Sequence, residues 1–110
     1  MLIYKVLPRA EWEKVVEAYD GSADDKRDGF IHLSTRAQLA GTLAKHYAGQ
    51  TGLLLLAVEA ESLGAGLKWE LAPKRGEDFP HLYAPLHKSA VTWAAPLNRD
   101  ASGEFLLPPE

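Results

Sequence analysis

Alternation of apolar and polar residues predicts strands in several parts of the chain. Residues 2–7 alternate, with Leu2, Tyr4 and Val6 on one face of an extended chain and the intervening residues on the other. Residues 67–71 and 88–97 alternate in the same way. Residues 53–60 are almost continuously apolar, which is typical of a strand covered on both faces. We therefore expect residues 53–60 to form the middle of a sheet and residues 88–97 to close it.

A helical period predicts two helices in the first half of the chain. Residues 9–19 place apolar side chains at positions i, i+3, i+4 and i+7, namely Trp12, Val15, Val16 and Tyr19. Residues 35–47 carry a similar stripe, made of Leu39, Leu43, His46 and Tyr47. Thr35 and Gln38 have the spacing of a capping box, which favours a helix that begins at Thr35.

Polar and proline-containing segments predict the connections. Residues 20–28 are typical of a solvated loop, and because they lead into the strand of His32 they can form one wall of a pocket. Residues 73–78 predict a charged loop. Pro80 and Pro85 argue against a helix and against a central strand around residues 79–83. The polar, proline-rich tail from Asn98 onward is expected to be loosely held.

These elements indicate an α+β fold with a mixed or largely antiparallel sheet and two helices near the N-terminus. A chain of 110 residues can bury one core, so we expect a single domain over residues 1–110. With 46% hydrophobic and 25% charged residues the composition is that of a globular protein.

Charge and cysteine content narrow the classes of function. A net charge of −3 with scattered Lys and Arg argues against a nucleic-acid-binding surface. The chain has no cysteine, which excludes disulfides, thiolate chemistry and cysteine-bound zinc. No apolar run is long enough to span a bilayer, and the N-terminal residues do not resemble a signal peptide. We expect a soluble, cytoplasmic protein without a membrane partner.

Residues 29–35, of sequence GFIHLST, change from a strand period to a helix period. In an extended chain Ile31 and Leu33 point to one face, while Phe30, His32 and Ser34 point to the other. The first face is plain core. The second places an imidazole and a hydroxyl beside each other within an apolar run, and core packing does not explain His32.

Similar polar groups recur in two later strand-like segments. Glu70 follows Trp69, and His81 shares a face with Tyr83. A buried polar group without a partner costs about 1 to 3 kcal/mol, so each group either finds an internal partner or faces a cleft. If the groups converge, they mark a binding site for a small molecule.

Three kinds of chemistry can use such a set. Two histidines and a carboxylate suit a metal-dependent hydrolase, but they lack the compact spacing of metal-binding motifs. Ser34 as a nucleophile needs a base, yet His32 lies on the same strand and no nucleophile elbow is present. The third is a non-covalent pocket, in which histidines and an aromatic ring hold a ribose and a base while Glu70 stabilises a developing positive charge.

The chain resembles the bacterial domain-of-unknown-function family nine-five-two. The resemblance rests on DGFIHLST at residues 28–35 with Gln38, on Trp69-Glu70, and on FPHLYAPL at residues 79–86, and it covers nearly the whole chain. That family is thought to be similar in fold to ADP-ribosyltransferases, whose cleft binds NAD with a strand histidine on the ribose and a late carboxylate near the reacting sugar carbon.

The resemblance implies a cleft for NAD or a related nucleotide. It implies ligand-binding roles for His32, Ser34, Trp69 and Tyr83, and catalytic roles for Glu70 and His81 in a transfer of ADP-ribose. Only His32 matches the transferase pattern reasonably well, and His81 stands where a transferase carries Glu or Gln, so the residues are compatible with nucleotide binding and leave catalysis open. A non-catalytic binding or interaction module and a metal-dependent hydrolase remain the alternatives.

Overall fold

The computed structural model describes all 110 residues, Met1–Glu110, as short helices around antiparallel strands. Three α-helices are present: α1 at Arg9–Glu13, α2 at Ala23–Asp28 and α3 at Leu39–His46. The longer strands are β1 at Leu2–Pro8, β4 at Leu53–Glu59, β5 at Leu67–Ala72, β6 at Glu77–Leu82 and β8 at Val91–Pro96. Two-residue strands are β2 at Ala18–Tyr19, β3 at Ile31–His32, β7 at Leu86–His87, β9 at Asn98–Arg99 and β10 at Phe105–Leu106. The segments Ala60–Gly66 and Lys88–Ala90 are 3₁₀-helical.

Two three-stranded sheets carry the architecture. One has the order β1-β4-β8 and the other the order β3-β6-β5, with every neighbouring pair antiparallel. A two-way backbone bridge between Tyr4 and Ser34 joins β1 to the residues just after β3. The α+β class and the antiparallel sheet are thus confirmed, as is the central position of residues 53–59.

Two apolar clusters cover the two faces of β1 and β4. On one face Ile3, Leu7 and Leu56 pack with the inward side chains of the second sheet, such as Ile31 and Leu82. On the other face α3 packs its buried stripe against the sheet, through Leu39 and Leu43. Lys5 lies on the first face, between Ile3 and Leu7, and is buried with them. No helix is long and apolar enough to cross a membrane.

The predicted helix over residues 9–19 is wrong in its second half. The helix α1 ends at Glu13, and Ala18–Tyr19 instead form a strand that pairs with Leu86–His87. Tyr19 is buried in the core, whereas Val16 is 85% exposed. The helical spacing of the apolar residues was genuine, but pairing with a distant strand satisfies the Tyr19 backbone while still burying its ring.

The predicted solvated loop over residues 20–28 is also wrong, because it contains α2. Ser22 Oγ accepts the Asp25 amide at 3.1 Å, and the Asp25 carboxylate accepts the Ser22 amide at 2.9 Å, which is a complete capping box. Gly29 ends the helix in the left-handed conformation, with φ of 87°. The helix turns Asp25 into the interior and forms one wall of a cavity, as its position before His32 had suggested.

Two further expectations need correction. Pro80 lies in β6, the central strand of its sheet. The sheet tolerates a proline there because the neighbouring strand β3 is only two residues long. The Pro80 carbonyl still accepts the Leu33 amide at 3.1 Å. The tail is held rather than loose, since β9 and β10 form a hairpin and Tyr4 Oη donates to Glu110 at 2.9 Å.

The second predicted helix is confirmed with a later start. Thr35 Oγ1 accepts the Gln38 amide at 3.2 Å and Gln38 Oε1 accepts the Thr35 amide at 3.0 Å, so the predicted reciprocal bonds form. The amides of Gln38 and Leu39 bond to carbonyls three residues earlier, and this tight turn delays the regular helix to Leu39. Gln38 Nε2 also donates to Glu77 and to the Asp78 carbonyl, which fixes the turn against β6.

Candidate functional site

A cavity of about 480 Å³ opens between α2, α3, the first sheet and the second sheet. Its wall includes Lys5 and Ser34 from the region where the two sheets meet, His32 from β3, and His81 from β6. Helix α2 contributes its acidic residues, and Arg75, in the turn between β5 and β6, lies on the wall as well. The volume is within the range of about 300–1,000 Å³ in which small-molecule sites fall.

A buried ion pair forms part of the cavity wall. Lys5 Nζ donates to Asp25 Oδ2 at 2.8 Å, and the two side chains are 4% and 2% exposed. Lys5 also donates to the His32 carbonyl at 3.2 Å. Burial alone raises the pKa of Asp25, but the hydrogen bond from His32 and the charge of Lys5 outweigh it, so the pKa of Asp25 is well below its usual value. Asp25 is therefore a fixed negative charge.

The Asp25 carboxylate fixes the position of His32. Asp25 Oδ1 accepts the His32 amide at 3.1 Å and contacts the ring at Nδ1. The ring is 40% exposed, and its Nε2 lies 3.0 Å from Asp28 Oδ2. The pKa of Asp28 is below its usual range, mainly because Arg27 donates a hydrogen bond to it. The nearby His32 lowers it as well, by a smaller amount. Each ring nitrogen of His32 therefore faces a carboxylate oxygen.

A second carboxylate fixes the second imidazole. Glu70 Oε1 lies 2.9 Å from His81 Nδ1 and accepts the Tyr83 hydroxyl at 2.6 Å. These bonds, first that from Tyr83 and then that from His81, lower the pKa of Glu70, while the same carboxylate raises the pKa of the Tyr83 phenol. Phe30 stacks on the His81 ring with centroids 3.9 Å apart. The His81 ring is therefore held on one edge and one face.

The two imidazoles converge because β3 and β6 pair with His32 directly opposite His81. Side chains opposite each other on paired strands share a face, and the ring centroids are 5.8 Å apart. Both residues line the same cavity. The predicted faces of His32 and of His81 with Tyr83 are thus confirmed, and two carboxylate-oriented histidines meet at one site.

The other residues proposed from the sequence are divided between three places. Ser34 lies on the cavity wall, 4% exposed, with its hydroxyl 2.9 Å from Thr42 Oγ1. Glu70 and Tyr83 lie behind His81 and do not line the cavity. Trp69 alternates with Glu70 along β5, so its ring projects from the opposite face, where it is 42% exposed. The idea of one cleft that includes Trp69 is wrong, because neighbouring strand residues point to opposite sides.

The sequence reasoning did not identify Asp28 as a site residue, and it missed Asp25, Lys5 and Arg75 as well. Asp25 lies within a run of charged residues, where nothing but the Ser22–Asp25 capping spacing distinguishes it. Lys5 is a cation in the middle of a buried strand, and that position was a usable signal. Arg75 lies in a turn that reads as an ordinary charged loop, so its place on the cavity wall depends on tertiary structure.

The donor residues do not form a metal site. No group of three or more His, Asp or Glu side chains is arranged to hold an ion. The nitrogens and oxygens of His32, Asp25 and Asp28 are engaged with one another, and those of His81 and Glu70 form a separate pair. These residues therefore supply no set of ligands for the metal ion that a metal-dependent hydrolase would need.

Comparison with known proteins finds similarity over almost the whole chain. A family model described as "Protein of unknown function (DUF952)" matches residues 6–94. The crystal structure of protein CC0527 from Caulobacter crescentus is 54% identical, covers 96% of this chain and 94% of that one, and gives a TM-score of 0.88. A double mutant of that protein gives 0.88 at 53% identity with the same coverage. Its solution NMR structure gives 0.83 at 54% identity, with coverage of 94% and 90%. Among proteins with curated descriptions, none matches.

Proposed function

We propose that this chain, which belongs to the family described as Protein of unknown function (DUF952), binds NAD or a related nucleotide in the cavity between α2 and α3. The observation that carries this proposal is the meeting of His32 and His81, each oriented by its own carboxylate, on the wall of one cavity.

The geometry suits a ribose. A ribose presents two neighbouring hydroxyls, each able to donate and to accept. His81 Nε2, which has no hydrogen-bond partner within the protein, can meet one of them, and His32 Nε2 can meet the other in exchange for its contact with Asp28. Since Asp25 and Glu70 hold both rings at Nδ1, the ligand does not have to order them, which lowers the entropic cost of binding. The role of His32 agrees with that of the strand histidine in the ADP-ribosyltransferase pattern that the sequence resembles.

The size and composition of the cavity suit a nucleotide. A volume of about 480 Å³ accommodates a mononucleotide or a large part of a dinucleotide. The wall combines aromatic rings, Tyr47 and Phe79, with cationic and anionic side chains. Aromatic rings can contact a base, and charged groups can contact phosphates, so one cavity offers a partner for each part of the ligand.

Transfer of ADP-ribose is the catalytic extension of this proposal. Breaking the bond between the ribose and the nicotinamide releases neutral nicotinamide and builds positive charge on the sugar carbon, which a nearby carboxylate stabilises. A hydroxyl or amine of the acceptor then forms the new bond at that carbon and loses its proton. Asp28 favours this extension, because it lines the cavity and contacts His32 at 3.0 Å. Glu70, the catalytic carboxylate expected from the sequence, instead orients His81 in this proposal.

Isothermal titration calorimetry with NAD and ADP-ribose tests the binding. We expect saturable heat with a dissociation constant below about 1 mM, since one cavity and several polar contacts provide at least that affinity. His32→Ala and His81→Ala should each weaken binding about tenfold or more, whereas His87→Ala, an exposed imidazole outside the cavity, should not. Absence of heat at millimolar nucleotide would exclude the proposal.

The same variants separate binding from a purely structural role. In a non-catalytic interaction module without a ligand, His32→Ala would lower the melting temperature and no nucleotide would bind to the wild type. In a nucleotide site the affinity falls at temperatures where both proteins are folded, as checked by circular dichroism before each titration.

A further inference from the structure

Arg75 is a cation on the cavity wall that no carboxylate neutralises. It makes no ion pair with any acidic side chain, in contrast to Lys5 and Arg27 on the same wall. The Glu77 carboxylate, two residues away in the sequence, accepts a hydrogen bond from Gln38 Nε2 instead. The Arg75 side chain is nevertheless only partly exposed to solvent.

Neutral groups hold the guanidinium in place. Its Cζ lies 4.5 Å from the centroid of the Phe79 ring, and its Nη1 donates to Thr42 Oγ1 at 3.3 Å. Its Nη2 donates to the Gln38 carbonyl at 3.4 Å. Both bonds are long, so they position the group without using the full strength of its donors.

The helix α3 is shaped to admit this side chain. A Cβ at Gly41 would lie 2.7 Å from Arg75 Nη2, so only glycine at that position lets the guanidinium rest on the helix. Glycine inside a helix costs about 0.5–1 kcal/mol relative to alanine, and the close approach of Arg75 accounts for its presence here. Thr42 Oγ1 accepts from Arg75 and shares a hydrogen bond with the Ser34 hydroxyl, which places a guanidinium and two hydroxyls in a row along the wall with one hydroxyl proton left to donate.

The charges around the cavity are separated. The carboxylates of α2, at Asp24, Asp25 and Asp28, are in contact with Lys5, Arg27 and His32, and Glu11 of α1 also lines the cavity. Arg75 and His46 lie on the opposite side, towards α3. Burial lowers the pKa of His46, and the positive charges of Lys45 and Arg75 lower it further, with the charge of Asp24 as a smaller opposing effect.

We propose that Arg75, with the Thr42 and Ser34 hydroxyls, forms a subsite for a phosphate group of the ligand. A guanidinium presents several N–H donors in a plane that matches two phosphate oxygens, and the stacking on Phe79 keeps that plane fixed. This inference rests on the proposed function and refines it: the ligand is a phosphorylated riboside, with its ribose at the two histidines and its phosphate towards α3.

The experiment compares two probes that differ by one phosphate, nicotinamide mononucleotide and nicotinamide riboside, by calorimetry. The wild type should bind the mononucleotide about tenfold or more tightly than the riboside, as expected for a charge-assisted bidentate contact. Arg75→Met should remove that difference and leave the riboside affinity unchanged. Lys74→Met, which removes the same charge from an exposed position in the same turn, should preserve it.

Gly41→Ala provides a second variant that does not depend on the stability of the Arg75 loop. Its methyl group displaces the end of a flexible side chain, so α3 should remain folded and its melting temperature should stay equal or rise. We expect Gly41→Ala to lose the phosphate advantage as Arg75→Met does.

The outcomes distinguish the two proposals. If both probes bind and Arg75→Met retains the advantage of the mononucleotide, the phosphate subsite is wrong while nucleotide binding stands. If neither probe binds, the titrations with NAD and ADP-ribose decide the proposed function, and a titration with inorganic pyrophosphate decides the subsite alone. Shifts of the Gly41 and Thr42 amide resonances that disappear in Arg75→Met support it, and their absence in the wild type overturns it.

Discussion

Replacement of Asp25 by asparagine is the most severe test of how the site is built. The substitution keeps the shape of the side chain but removes the charge that faces Lys5 in the interior. It also removes an acceptor, because the amide nitrogen of asparagine faces a donor whichever way the side chain is turned. Asp25 accepts from Lys5 Nζ, from the Ser22 amide, and from the His32 amide and ring.

The expected loss is large for a single substitution. Removing one partner of a buried ion pair typically costs about 3–5 kcal/mol, because the other charge is left without compensation. Lys5 is 4% exposed on its side chain, so we expect the full range rather than the small cost of a surface pair. For a domain of this size the loss corresponds to a drop of about 12–20 °C in melting temperature.

Chemical denaturation monitored by circular dichroism measures this loss. Asp24→Asn is the matched control on the same helix, since Asp24 is exposed, and it should behave like the wild type. The double variant Lys5→Met with Asp25→Asn should recover part of the loss, because it no longer buries an unpaired charge. If Asp25→Asn stays within about 1 kcal/mol of the wild type, the account of the buried pair is incorrect. It is also incorrect if the loss of the double variant equals the sum of the losses of the single variants Lys5→Met and Asp25→Asn.

The remaining predictions concern pH and the second histidine. The folded pKa of Asp25 lies below its unfolded value of about 3.9, so the unfolded state binds more protons in acid and the free energy of unfolding should fall as the pH drops below about 5. Asp25→Asn should flatten this dependence in acid melts, and an unchanged slope would contradict it. Glu70→Gln should keep the fold, since Glu70 is partly exposed, but should weaken nucleotide binding severalfold by loosening His81. Equal affinity in the calorimeter would show that Glu70 does not position the ring.

Much of the sheet could be predicted from the sequence, because burial on both faces leaves a local pattern. The apolar run of residues 53–59 identified the central strand, and strict alternation placed His32 and His81 on defined faces. The pairing that sets these two residues opposite each other could not be read, since it joins segments about fifty residues apart. Alternation also separates Trp69 from Glu70, and that information was present in the sequence although the predicted cleft combined them.

The errors have two physical origins. Tyr19 fits the helical pattern of residues 9–19, but its ring can be buried equally well from a strand. Only the pairing with the distant Leu86 decides between helix and strand. Asp25 and Arg75 occur in charged segments that resemble solvated loops, yet the fold buries the first and sets the second on the cavity wall. A charged residue becomes part of a site through the tertiary partners that surround it, which local patterns do not encode.

Mapping of ADP-ribose by amide chemical-shift perturbation on the wild-type protein tests the central claim most directly. We expect progressive shifts at the residues around the cavity, especially His32, Ser34 and Thr42, while Trp69 and Leu71 on the opposite side of β5 remain unchanged. Unchanged spectra at millimolar ADP-ribose, or shifts confined to the Trp69 side, would contradict the assignment of the cavity as a nucleotide site.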